Sequence, residues 1–191
     1  MAGRLMRVDR LDDGLWRWTA PQSGSGREGN SVYHEAPDGI TLIDPLLPDD
    51  PEQAERFWRA LDRDVERIGT SPLIALTDPE RQPGAAAVRS RYAGSRILAP
   101  GATDTADGTL ADGDVLPGGL IAIGPTDAAG CALLGCACHG LIWTGSLLEG
   151  DPSPCTPLLP RLVALGPRFL VARMGEPVVE DAVGALARAL A

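Results

Sequence analysis

Apolar and polar residues alternate along the first part of the chain, a pattern typical of β-strands. Two hairpins are predicted, at 8–19 and at 31–43, and a loop rich in glycine and serine at 22–30 separates them. In the first hairpin the alternation places Arg17 and Trp18 on opposite faces. The pattern therefore predicts a sheet with two different faces at the start of the chain.

The first helix is predicted to begin at Asp50. Asp50 is a good N-cap, Pro51 suits the first helical position, and Gln53 completes a capping-box pattern. Gly69 is the expected end of the helix. Between these signals apolar residues recur with the helical period: Ala54, Phe57, Trp58, Leu61, Val65 and Ile68.

The middle of the chain alternates strand and helix signals. An apolar strand at 73–76 is followed by a predicted helix at 84–92, which Gly94 is expected to stop, and by a strand at 96–99. Strands joined through a helix pair in parallel, so we expect helices packed on a parallel sheet.

The last third of the chain changes character. Short strands separated by turns predict antiparallel pairing, and two helices follow them. The predicted elements are strands at 120–123, 131–137 and 141–144, a helix from Thr156 with Leu158, Leu159, Leu162 and Val163 apolar, a strand at 169–172, and a final helix with Val179, Ala182, Val183, Leu186 and Leu190 apolar.

Composition narrows the function classes. A net charge of −9 argues against a nucleic-acid partner and against an anionic membrane partner. We find no apolar run of membrane-spanning length and no apolar secretory segment, which predicts a cytoplasmic protein. In that compartment the four cysteines, Cys131, Cys136, Cys138 and Cys155, are expected to be thiols.

An ordered set of short segments resembles the metallo-β-lactamase-like superfamily. Residues 38–45 resemble its opening hairpin, which ends in Leu-Ile-Asp, and residues 112–120 resemble the approach to its second half. Residues 140–146 resemble the strand that normally ends in Gly-Asp, and residues 173–177 resemble the closing loop. The resemblance implies the α/β class and one domain over residues 1–191, folded as a four-layer α/β/β/α sandwich.

The zinc motif of that superfamily is not conserved here. The motif H-x-H-x-D-H normally follows an apolar strand and a threonine; Thr77 remains, and residues 78–84 after it contain no histidine. By resemblance, the ligand positions fall on Asp78, Glu80, Gln82, Pro83, Asp127, Ser146 and Met174. A hydrolytic zinc pair needs neutral imidazoles and a bridging carboxylate. We therefore expect no zinc pair, no other cofactor and no catalytic residue of that kind.

Two hypotheses of function follow from this loss. In the first, the protein is non-catalytic and binds a small molecule or a protein partner, and an exposed strand or the tryptophan-bearing hairpin leaves room for a homodimer. Its binding surface is an outer face or the former active-site cleft, lined by Asp78, Glu80, Gln82, Asp127, Ser146 and Met174. In the second, the protein is a hydrolase in which a hard cation sits on Asp78, Glu80 and Asp127. The alternative is that these three carboxylates are solvated side chains of loops and bind no ion.

The cysteines suggest a third, less favoured class. Cys136, Cys138 and His139 lie close in sequence, and Cys155 is the expected fourth ligand of a zinc or redox site there. Buried free cysteines in an apolar sheet are the favoured alternative. His34 is expected at a surface or a sheet edge, without a role.

Overall fold

The computed structural model of the protein describes residues 6–21, 27–77, 81–101, 103–124, 133–145 and 153–190. Its first sheet has the order β1-β2-β3-β4-β5-β6-β7. The pairs from β1 to β4 are antiparallel, and those from β4 to β7 are parallel, as the strand–helix–strand alternation predicted. The strands are β1 Arg7–Asp12, β2 Leu15–Pro21, β3 Glu28–Ala36, β4 Gly39–Ile43, β5 Leu73–Ala75, β6 Arg96–Ala99 and β7 Gly108–Thr109.

The second sheet has the order β12-β11-β10-β9-β8. Its pairs from β8 to β11 are antiparallel, as predicted, and β11 pairs with β12 in parallel. The strands are β8 Val115–Leu116, β9 Leu120–Ile123, β10 Leu133–Cys136, β11 Leu141–Trp143 and β12 Phe169–Val171.

The helices of the described ranges are α1 Pro51–Ile68, α2 Gln82–Arg91, α3 Leu159–Ala164 and α4 Ala182–Ala189. Helix α1 has the predicted ends: the Asp50 carboxylate accepts a hydrogen bond from the backbone N–H of Gln53 at 2.9 Å, and Gly69 is left-handed with φ 80°. None of these helices combines the length and the apolar character needed to cross a bilayer.

Three apolar clusters separate the layers. One lies between the sheets and joins residues such as Val32 and Trp143. The second packs the first sheet against α1 and α2, and the third packs the second sheet against α3 and α4. This is the predicted four-layer α/β/β/α sandwich, and the prediction of fold class is confirmed.

Several local predictions are wrong. The predicted loop at 22–30 overlaps β3, which begins at Glu28 because it pairs with the end of β2. The helix predicted at 84–92 is α2, Gln82–Arg91, but an extended Tyr92 and not Gly94 ends it. The predicted helix from Thr156 begins as the 3-10 helix Ser153–Leu158, with Pro157 inside it. Apolar residues of the last two stripes point to solvent: Val163, Val179 and Val183.

Candidate functional site

Most of the predicted cleft residues lie outside the described part of the chain: Asp78, Glu80, Asp127 and Ser146. Gln82 is the first residue of α2, and Met174 is half-buried in the loop after β12. The cleft therefore stays a prediction. The described residues around it nevertheless define the edge of the sandwich at which it would lie.

A cluster of hydrogen-bonded side chains lies at this edge, where β4, β5 and β11 end. Asp44, Thr77 and Trp143 are fully buried. The Asp44 carboxylate accepts hydrogen bonds from the Thr77 backbone N–H at 2.8 Å, from the Thr77 hydroxyl, and from the Trp143 indole N–H at 3.1 Å. The indole N–H also lies 3.0 Å from the Thr77 hydroxyl oxygen. A carboxylate and an indole therefore fill the space where β4, β5 and β11 meet.

The backbone at Asp44 is held in a conformation that costs energy. Its φ of 46° is left-handed, which is uncommon for a residue other than glycine. Its N–H donates to the Ala75 carbonyl at 2.9 Å, and its carbonyl accepts from the Ser31 hydroxyl at 2.7 Å. On the other side of this cluster, a Cβ at Gly145 would approach the Thr77 hydroxyl oxygen to 2.6 Å. The hydrogen-bonded cluster therefore leaves no room for a side chain at Gly145.

Buried polar side chains of β2 and β3 hold the closing loop that carries Met174. The Asn30 side-chain amide donates to the Gly175 carbonyl at 2.8 Å, and the Arg17 guanidinium contacts the same carbonyl at 3.3 Å. Arg17 is 1% exposed and also pairs with Glu176 at 3.1 Å. The loop is thus fixed against the inner face of the first sheet.

The described residues at this edge offer no imidazole to a zinc pair. The chain has two histidines, His34 and His139, and both lie at the opposite end of the sandwich, as described below. The segments outside the described residues contain no histidine, and Cys131 is their one cysteine. Arg81 is buried beside β3, where a Cβ on Gly29 would lie 2.8 Å from its guanidinium. Its guanidinium therefore takes up the space beside Gly29.

A cavity of about 510 Å³ opens on the other face of the first sheet, under α1. Trp16 and Tyr33 meet edge-to-face with their ring centroids 5.3 Å apart, and Trp18 packs on Phe57 at 5.6 Å. Trp16 and Trp18 thus share the face opposite Arg17, as the alternation predicted. The cavity is lined by Met6, Val8, Trp16, Trp18, Tyr33, Glu35, Leu42, Arg56, Phe57, Ala60, Leu61, Arg63, Asp64 and Arg67.

Arginines stand at the rim of this cavity. Arg67 forms a two-pronged pair with Glu35, at 2.6 and 2.9 Å, which is the main reason that the pKa of Glu35 is lowered. Burial, followed by the hydrogen bond to Glu35, raises the pKa of the Tyr33 hydroxyl, so Tyr33 stays neutral. Arg63 is 74% exposed and lies 3.4 Å from Asp64. Arg63 is therefore a guanidinium with little restraint at the mouth of the cavity.

The opposite end of the sandwich contradicts three expectations about the cysteines and His34. Cys136 and Cys138 are joined in a disulfide, not present as thiols, because the turn after β10 folds back and leaves their Cα atoms 5.5 Å apart. Cys155 is buried in the cluster under α3 and α4, so it is not their fourth ligand. His34 is 1% exposed rather than at an edge, since β3 is an interior strand and His34 points between the sheets.

Neither ring nitrogen of His34 has a hydrogen bond of normal geometry. Burial is the main cause that lowers its pKa to about 4, and His139 lowers it further, while Asp38 and the Pro117 backbone raise it. The rings of His34 and His139 are 5.2 Å apart, centroid to centroid. Sequence reasoning missed this burial, although alternation from the apolar Val32 signals it.

No protein-family model matches the chain, and no curated protein matches it. Solved structures match it over nearly its whole length. A metallo-β-lactamase from Pontibacter korlensis is 14% identical, with 97% of this chain and 98% of that chain covered and a TM-score of 0.69. The metallo-β-lactamase FIM-1 from Pseudomonas aeruginosa, in its mono-zinc form, is 14% identical, with 100% and 96% covered and a TM-score of 0.68. The DIM-1 metallo-β-lactamase is 11% identical, with 100% and 97% covered and a TM-score of 0.71. Likeness at this identity shows the fold alone, and this chain has the metallo-β-lactamase fold.

Proposed function

We propose that this protein is a non-catalytic member of the metallo-β-lactamase fold that binds a small amphipathic molecule in the cavity under α1. The observation that carries the proposal is the cavity itself. Its volume of about 510 Å³ lies in the range of small-molecule sites, and its walls are mainly aromatic and aliphatic, with few polar groups.

The lining indicates the chemical class of the ligand. The aromatic pairs at the base favour an acyl chain or a flat ring, because burying the apolar surface of such a group away from water is favourable. The rim favours an anionic head. Arg67 is already paired with Glu35, and Arg56 with Glu52, whereas Arg63 is the least restrained of the three guanidinium groups. A medium-chain carboxylate meets both requirements.

The edge around Asp44 supports the non-catalytic half of the proposal. Its carboxylate accepts hydrogen bonds from Thr77 and from Trp143. Imidazoles, which would lower the pKa of a zinc-bound water, are absent from every ligand position inferred from the resemblance.

Calorimetric titration with decanoate and with decanol tests the ligand class. Both probes carry the same chain length, and we expect decanoate to bind at least tenfold more tightly because Arg63 meets its carboxylate. Arg63→Gln should remove this preference and leave decanol binding unchanged. Arg59→Gln, on the same helix but outside the cavity lining, is the matched control and should behave as the wild type.

A filled cavity provides the second test. Ala60 is exposed on α1 and lines the cavity, so Ala60→Trp should block both probes without disturbing the core. Glu66→Trp places the same ring on the helix outside the lining and should bind both probes normally. Absence of saturable binding by the wild type, or normal binding by Ala60→Trp, contradicts the proposal.

Assays of hydrolysis decide the non-catalytic half. We expect p-nitrophenyl acetate and p-nitrophenyl phosphate to be turned over no faster with the protein than without it, in Mg²⁺, in Mn²⁺ or in EDTA. Mg²⁺- or Mn²⁺-dependent turnover that Asp127→Ala abolishes would instead support the hard-cation hydrolase, the second hypothesis from the sequence.

A further inference from the structure

Three possible metal ligands meet at the end of the sandwich opposite Asp44. The ligand atoms of His34, Cys136 and Cys138 all lie within 4.8 Å of one another. His34 and Cys136 are buried, and Cys138 is exposed to solvent. His34 pairs across β3 and β4 with Thr41, at the start of the parallel strands, whereas Asp44 follows their end. The group is therefore separate from the edge that carries the zinc ligands in the resemblance.

His34 is an independent indication that this group binds something. A buried imidazole without a hydrogen bond costs free energy, and native proteins rarely leave one in that state. The main chain is also shaped around it: Gly118 is left-handed, with φ 73°, and a Cβ there would lie 2.1 Å from the His34 Cε1 atom. The carbonyl oxygen of the same Gly118 lies 3.6 Å from each cysteine sulfur.

A second imidazole, that of His139, lies beside this group, outside the set of ligand atoms that lie within 4.8 Å of one another. Two imidazoles on one tetrahedral zinc, each with a metal–nitrogen distance of about 2.0 Å, have ring centroids about 5 Å apart. The measured separation of His34 and His139 is 5.2 Å. The Nδ1 atom of His139 lies 3.4 Å from an Asp12 carboxylate oxygen, which Arg168 also contacts at 3.1 Å. A carboxylate behind a ligating histidine is the usual outer partner in zinc sites, and it leaves Nε2 available to the metal.

We propose that the reduced Cys136–Cys138 pair forms, with His34 and His139, a binding site for a zinc-class divalent ion. Two thiolates and two imidazoles are a donor set that selects zinc, and cobalt(II) as its spectroscopic substitute, over magnesium or calcium. The disulfide and the metal site are alternative states of the same sulfurs.

The interconversion is chemically balanced. A phosphine reductant attacks the disulfide, takes up an oxygen atom from water to become a phosphine oxide, and leaves two thiols. The incoming divalent ion then displaces one proton from each thiol and binds the two thiolates. Cys138, being exposed, is the sulfur that a reductant reaches first.

Cobalt(II) titration of the phosphine-reduced protein under argon tests the site. We expect one equivalent to bind, with a thiolate-to-cobalt charge-transfer band and the visible bands of a tetrahedral ion, and zinc to displace it. The unreduced protein should show no such band. The Cys136→Ser, Cys138→Ser double variant should abolish the charge-transfer band, each single variant should weaken it, and His34→Gln should weaken binding at least tenfold.

Matched controls keep the result independent of folding. Cys155→Ser removes a buried cysteine outside the group and should keep the full spectrum. Asp12→Asn should weaken binding about tenfold with the charge-transfer band intact, because it removes only the outer partner of His139. Circular dichroism of each variant shows whether it is folded. Where a variant is unfolded, the alanine substitution at the same position takes its place. No band in the reduced wild type, or an unchanged band in Cys136→Ser, overturns the proposal.

This proposal and the proposed function fail separately. Zinc that remains in the Cys136→Ser, Cys138→Ser double variant would belong to another site and would count against the non-catalytic proposal. Loss of decanoate binding would leave the cobalt spectrum unchanged.

Discussion

At the scale of single residues, the same side chain takes a role that its neighbours dictate. Asp44 ends the Leu-Ile-Asp segment of the resemblance, and Thr77 and Trp143 make its carboxylate a buried acceptor. Asp44 can be singled out from the sequence alone, because the Leu-Ile-Asp pattern marks its position. The indole that meets it could not be foreseen, because Trp143 lies far along the chain on the other sheet.

We predict that Trp143→Phe lowers the free energy of unfolding by about 2–3 kcal/mol, as measured by urea denaturation. The substitution removes the indole donor to the buried Asp44 carboxylate and leaves that acceptor short of one partner, which costs about 1–3 kcal/mol. It also leaves a small void in the inter-sheet core.

Trp58→Phe is the matched control, because it makes the same change in a half-buried ring on α1. We expect it to cost about 1 kcal/mol or less. Equal losses in the two variants would mean that the Trp143 indole nitrogen contributes nothing beyond ring size.

At the scale of elements, local signals located the long elements and missed the short ones. Helix α1 carries an N-cap, an early proline, an apolar stripe and a terminal glycine, and its bounds agree with them. The two-residue strands β7 and β8 have no local signature, because their pairing with β6 and β9 is decided by the rest of the sheet. The apolar stripe of the last helix predicts that Val183 is buried. Val183 is exposed instead, because α4 is a single short surface helix whose far side meets water.

We predict that Asp50→Ala lowers the free energy of unfolding by about 1 kcal/mol, the usual contribution of an N-cap. The Asp50 carboxylate accepts from the Gln53 backbone N–H, and alanine leaves that donor to water. Urea denaturation with a fixed m-value measures the change. Asp49→Ala removes an exposed carboxylate of the same kind one residue earlier, and a comparable loss there would attribute the effect to charge rather than to capping.

At the scale of the whole molecule, the fold was predictable and the site only partly so. Hairpins, parallel crossovers and the order of short segments specify a four-layer sandwich, because each of these signals is local or ordered along the chain. The cavity under α1 needs five elements, β1 to β4 and α1, to close around it. The cysteine–histidine group needs β3 from one sheet and the turn after β10 from the other. Contacts between sheets leave no pattern in sequence, so the approach of the Cys136–Cys138 turn to His34 could not be predicted, although alternation from Val32 indicates that His34 is buried.

The pH dependence of global stability follows from the same inter-sheet placement. The pKa of His34 falls from 6.5 to about 4 on folding, chiefly through burial. Between these values the unfolded chain binds a proton that the folded protein does not, so stability falls as pH is lowered from 6.5 to 4. At about 1.4 kcal/mol per pH unit, the contribution approaches 3 kcal/mol. Glu35 and Asp62, whose pKa values are lowered from 4.5 and 3.8 by Arg67 and Arg91, lose their contributions as pH falls below these ordinary values, at the acidic end of the window and beyond it.

Thermal and urea unfolding of the oxidised, metal-free protein between pH 7.5 and 4 measures this dependence. His34→Gln keeps a polar side chain of similar length and cannot take up the proton, so its stability should vary little across the same window. His139→Gln is the control, because this half-buried ring lies beside Asp12 and is not enclosed between the sheets. If the wild type and His34→Gln show the same slope from pH 6.5 to 4, the buried imidazole is not the group that links folding to acidity, and His34 would have to be solvated in the native protein.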